Sequence, residues 1–145
     1  DNPIAAGADS YLYNHENGLD DGSTDPASAI SAYIESSQLD IGDGDKYVFI
    51  RRLLPDLTFD GSTASSPTAS FTLKRNFPGG AYDNSDESTV TQSAGATTTT
   101  VERFTDQVHV RLRGRSFALR VDSSGAEVQW RLGSPRVDIR PDGKR

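Results

Sequence analysis

Apolar and polar residues alternate with a period of two through most of the last third of the chain. Val108, Val110 and Leu112 are separated by His109, Arg111 and Arg113. Phe117, Leu119 and Val121 alternate with Ala118, Arg120 and Asp122, and Val128, Trp130 and Leu132 with Gln129 and Arg131. That period sends one set of side chains to one face of a sheet and the other set to the opposite face. Three strands in a row are therefore predicted, with an apolar core face and an arginine-bearing outer face. Gly114, within RGR at 113–115, reads as a hairpin or bulge, and SSGAE at 123–127 as a hairpin turn. Val137 and Ile139 continue the alternation into a last strand over 136–140.

Upstream the pattern is weaker. Residues 1–28 carry little periodic apolar signal and are rich in Asp, Asn, Gly and Ser. They read as an extended acidic arm or irregular loop, anchored by Tyr11, Leu12 and Tyr13 and ordered against a partner. The stretch AISAYIESSQLDIG at 29–42 reads as a short strand with Ile30, Ala32 and Ile34 on one side. A helix opened by Pro26 and Ser28 is the alternative. KYVFIRRLL at 46–54 is a strong strand whose apolar residues fall on both parities, which predicts cover on both faces. Leu57 and Phe59 start a short strand, Phe71 and Leu73 mark another over 69–75, and 97–103 permits one more. Residues 83–100 are polar and low in complexity, the composition of a long exposed loop or hairpin.

These elements predict an all-β fold, an antiparallel β-sandwich or partly closed barrel of about seven or eight strands. Residues 1–28 form the arm and 29–145 the sandwich. The composition agrees, with 34% hydrophobic residues in a chain of 145. No apolar run is long enough for a membrane-spanning helix. The opening DNPIAAGADS has neither an initiator Met nor a basic region before an apolar one, the look of an internal or processed piece of a longer chain.

The net charge of −6 conceals a polarity along the chain. Residues 1–45 hold ten acids and no Lys or Arg; residues 101–145 hold ten bases against six acids. Such asymmetry predicts that the two ends meet, within one chain or between copies, or else that both are simply solvated. The arginines Arg111, Arg113, Arg115, Arg120, Arg131, Arg136 and Arg140 are the candidate interface, since guanidinium groups bind carboxylates and phosphates bidentately. Phe117 and Trp130 share the core parity, and the chain as a whole is acidic. Both points favour protein carboxylates over nucleic acid as the partner.

Little else carries chemistry. The absence of Cys removes disulfides, thiolate nucleophiles and Cys-based zinc sites. His15 and His109 stand alone, without a metal-ligand spacing, and no nucleophile elbow or phosphate-binding glycine loop is present. No enzyme and no cofactor are predicted. Asp40, Asp43 and Asp45, interleaved with Gly42 and Gly44, are oxygen-rich enough for calcium; the plain alternative is a turn entering the next strand. Tyr11, Tyr13, Tyr47, Phe77 and Tyr82 admit a sugar-stacking platform or ordinary turn packing. A carbohydrate-binding β-sandwich, with calcium at the acidic turn, is therefore the alternative function.

Several blocks also carry a family resemblance. KYVFIRRLLPDLTF (46–59), FTLKRNFPGGAY (71–82), DQVHVRLRGRSFALRV (106–121) and VQWRLGSPRVDIRPDGKR (128–145) resemble the closing region of tail tube or nozzle proteins of short-tailed bacteriophages. The resemblance spans roughly residues 30–145 and is most specific in R-x-R-G-R … W-R-L-G-x-P-R-x-D-x-R-P-D-G-[KR]-R. It implies a non-enzymatic virion component, located in the phage tail. Its partners would be copies of itself in a ring and other tail proteins, with DNA at most as channel contents and no membrane. The much larger β-rich body that precedes this region in the family is absent from the chain.

Overall fold

The computed structural model describes residues 3–15, 17–40, 46–76 and 96–143, and it is all-β. Twelve strands are formed among these residues: β1 (Ile4–Ala6), β2 (Leu12–Asn14), β3 (Ala32–Glu35), β4 (Leu39–Asp40), β5 (Val48–Leu54) and β6 (Leu57–Thr58), then β7 (Thr68–Asn76), β8 (Ala96–Glu102), β9 (Val108–Gly114), β10 (Ser116–Ser123), β11 (Arg131–Leu132) and β12 (Arg136–Pro141). Every pairing is antiparallel and no barrel closes, so of the two expected architectures the sandwich is the one formed. One sheet runs β3-β10-β7-β8, with β4 also on β10; the other runs β12-β5-β9. Two small ribbons, β1-β2 and β6-β11, complete the fold.

The two larger sheets bury one core between them. Val48, Ile50, Leu53, Val108, Val110 and Leu112 enter it from the three-stranded sheet. Ala69, Phe71, Leu73, Val101, Phe117 and Val121 come from the five-stranded sheet, and Phe59 fills in beside them. Burying each large apolar side chain is worth about 1.5–3 kcal/mol, so this cluster is the main source of stability. Leu57, Val128, Trp130 and Leu132 pack against it from the β6-β11 ribbon and its approach.

The C-terminal strands are not neighbours. β9 pairs with β5, β10 with β7, β3 and β4, and β11 with β6. The expected hairpin at 113–115 is instead a corner from one sheet into the other. A Cβ at Gly114 would stand 3.1 Å from Cβ of Arg75 and 3.2 Å from the Phe117 ring, so the chain turns there because glycine lets it pass. The 123–127 segment likewise leaves the five-stranded sheet and is no hairpin turn. Alternation correctly tells which side chains face the core; it is silent on which strand lies alongside.

Two further expectations change. In β5 the apolar parity shifts because of a bulge: Ile139 pairs with Ile50 and Asp138 with Arg52, leaving Arg51 unpaired on that side. Ile50 and Leu53 therefore share the core face, while Arg51 stays exposed and the outer face is not covered. The described part of this stretch, residues 29–40, forms two short strands and no helix, at the edge of their sheet, so Ile30 and Ile34 remain exposed, and residues 41–42 lie outside the described residues. The 1–28 arm contains the β1-β2 hairpin, with Ala5 opposite Tyr13. Residues 20–28 close on themselves through paired backbone bonds between Asp21 and Ser28.

Candidate functional site

Two surfaces stand out among the described residues. The first is the outer face of β12-β5-β9. Cross-strand partners share a face, so Arg140, Phe49 and Arg113 line up across this sheet, followed by Asp138, Arg52 and His109. Arg111, Arg136 and the bulged Arg51 lie exposed on the same side. Arg52 pairs with Asp138 at 3.7 Å and donates to Gln107 at 3.3 Å. Arg113 is bound to the Asp142 carboxylate and sits 4.3 Å from the Tyr47 ring centroid, which Arg115 approaches from 4.9 Å. Arg51, Arg111, Arg136 and Arg140 have no carboxylate partner among the described residues.

The seven arginines singled out in the sequence thus separate. Arg111, Arg113, Arg136 and Arg140 come together on this face, and Arg115 stands at the corner beside it. Arg131 belongs to the β6-β11 ribbon. Arg120 lies on the outer side of the other sheet, where it bonds Glu35 at 3.3 Å and Asp122 at 3.2 Å and covers Tyr33 at 4.2 Å. Lys74 reaches the other Glu35 oxygen at 2.9 Å. That hydrogen bond, above all, holds the Glu35 carboxyl below its ordinary value; partial burial opposes it and Arg120 assists. This network serves the fold. Arg51 and Arg52 were missed as members of the cationic face, because only the bulge turns both of them outward.

The second surface is the β3-β4 edge. β3 pairs with β10 on one side, and among the described residues nothing pairs with it on the other. Tyr33, Ile34 and Leu39 are 63%, 53% and 56% exposed along it, and Ile30 lies just before it. β3 has no Lys or Pro to blunt the edge. The N-terminal hairpin is similarly bare: no described residue from Pro3 to Ile30 is buried, and Leu12 is 77% exposed. Its loop is held by the Tyr13 hydroxyl, which donates to the Asp9 carboxylate and keeps that carboxyl below its ordinary value, helped by the Tyr11 N–H. The signal for this edge lies in the sequence as Ile30 and Ile34, which the alternation places on one side of a strand without any sign that the strand lies at an edge.

Acidic groups gather elsewhere. The Asp20 carboxylate accepts the Glu127 N–H through both oxygens, at 2.7 and 2.9 Å, fastening the 17–28 loop to the turn after β10. Asp21 accepts the Ser23 N–H at 2.9 Å, which keeps its carboxyl below the ordinary value. Of the calcium candidates, Asp40 is exposed at the end of β4, while Asp43 and Asp45 lie outside the described residues. Among the described residues no group of three or more potential metal ligands forms. Tyr47 packs against arginines, Tyr11 and Tyr13 belong to the hairpin, and Phe77 and Tyr82 lie outside the described residues. Compared with known proteins, the chain matches no family model and no curated protein.

Proposed function

We propose that this chain is a non-enzymatic structural component of a bacteriophage virion, an assembly domain of the tail tube or nozzle whose copies bind one another and adjoining tail proteins. The observation that carries the assembly reading is the β3-β4 edge, which is left without a strand partner among the described residues and along which Tyr33, Ile34 and Leu39 are exposed. Such an edge is a template for strand addition, and soluble proteins normally cover or charge it. The β1-β2 hairpin supplies a fitting strand: two three-residue strands without a buried side chain are marginal alone and gain from a sheet to join. The tail location rests on the resemblance of 46–59, 71–82, 106–121 and 128–145 to the closing region of nozzle proteins.

Sedimentation velocity over a range of concentrations tests the assembly reading. The wild-type chain is expected to associate, and Ile34→Lys with Leu39→Lys to stay folded while associating markedly more weakly. A wild-type monomer at every concentration would overturn it. For the tail location, an antibody against this chain should label the tail end of the intact particle; label confined to the capsid, or none, refutes that part alone.

A further inference from the structure

Resting on the assembly reading, we infer that copies of this chain join head to tail, the cationic outer face of β12-β5-β9 on one copy receiving the acidic 17–28 loop and Glu127 turn of the next. Among the described residues, no ion pair links Asp20, Asp21, Asp25 or Glu127 to any arginine of the face. Among the described residues the face carries Arg51, Arg52, Arg111, Arg113, Arg136 and Arg140, against Asp138 and Asp142, with Asp56 and Asp106 lining a shallow concavity beside Arg136 at its end. Four of those arginines have no carboxylate partner among the described residues and stand exposed.

The acidic side is equally built. Asp20 anchors the loop to the body, and the Asp21–Ser28 backbone bonds close it, so its carboxylates are presented from a fixed frame. Asp21, Asp25 and Glu127 are exposed. Opposite charges held on two different surfaces of one molecule favour a heterologous contact, which closes into a ring when the rotation per copy allows. An ion-paired contact between exposed groups is also salt-sensitive. The same face would attract a nucleic-acid backbone, yet the chain that carries it is acidic overall, and the loop of a second copy offers matching carboxylates.

Two charge-reversed full-length chains test this directly. Arg111→Glu with Arg140→Glu reverses the face; Asp21→Lys with Glu127→Lys reverses the loop. Each alone is expected to associate roughly ten- to a hundredfold more weakly than wild type. An equimolar mixture should recover assembly, because the reversed face of one chain meets the reversed loop of the other. Circular dichroism and thermal midpoints verify that both remain folded. Full association of either variant alone, or a mixture no better than its components, overturns the head-to-tail contact. So does tighter binding of wild type to single-stranded DNA than to a second copy at the same salt. If the charge variants assemble normally while Ile34→Lys with Leu39→Lys does not, assembly stands and the head-to-tail contact falls.

Discussion

The Asp56 carboxylate accepts the backbone N–H of Ser134 at 2.6 Å, while the Asp56 carbonyl accepts the N–H of Gly133 at 2.9 Å. One residue thereby clips together the segments after β5 and after β11, and the β6-β11 ribbon forms beside it. Asp56 holds a positive φ of 45°, which Asp and Asn tolerate better than most residues. Asp56→Ala loses the side-chain bond and the turn preference together, at an expected cost of about 1–2 kcal/mol. Asp56→Asn should recover part of it. Urea midpoints for the two variants check the order, and an Asn variant no better than Ala would refute it.

Glu35 binds Lys74 and Arg120 at once, and its folded carboxyl titrates below its ordinary value of 4.5. A depressed carboxyl contributes stability above that value and loses it as pH falls through the folded one. Glu35→Gln should therefore be less stable than wild type near neutral pH, by about 1 kcal/mol for a half-exposed charged network. The gap should close in acid, below 4.5. Denaturant unfolding at several pH values measures it; a gap that stays constant down to strong acid would show that charge is not the cause.

A Cβ at Gly114 would crowd Cβ of Arg75 and the Phe117 ring at 3.1 and 3.2 Å. Gly114→Val requires those neighbours to move and should cost about 1–3 kcal/mol, the usual range for overpacking. The effect should appear in the thermal midpoint, with the far-ultraviolet β-signal kept. A neutral result would mean that the corner is looser than its contacts indicate.

Trp130 donates its indole N–H to the buried Ser123 hydroxyl at 2.9 Å. Trp130→Phe keeps most of the ring but leaves that hydroxyl without its donor, an expected loss of about 1 kcal/mol. Trp130→Phe combined with Ser123→Ala should cost less than the two single losses added together. Strict additivity would argue against the bond.

How much of this was legible in the sequence follows from what alternation can report. Val108, Val110, Leu112, Phe117 and Val121 read as core and are core, because a strand's two faces differ in solvent whichever neighbours it has. The pairing of β9 with β5 and of β10 with β7 was not legible, since pairing depends on a corner at Gly114 that resembles a hairpin turn in sequence. Arg51 and Arg52 joined the cationic face only through the bulge opposite Asp138 and Ile139. That Ile34 lies at a sheet edge was not legible, because an apolar residue there carries the same pattern as one inside the sheet.

The interleaving of the two sheets has a kinetic consequence. In the larger sheets only β7 and β8 pair with a strand next in sequence; β5 waits for β9 and β12, and β3 waits for β10. Val48 meets its partner only when Gly114 has been made, and Arg136 must still come back to Leu54. Closing such long loops precedes any reward from burial, so this topology folds slowly and late. On the ribosome, β5 would emerge with its apolar side chains and both backbone edges bare. The growing chain is then at its most vulnerable to misassembly before the arginine-rich end has left the exit tunnel.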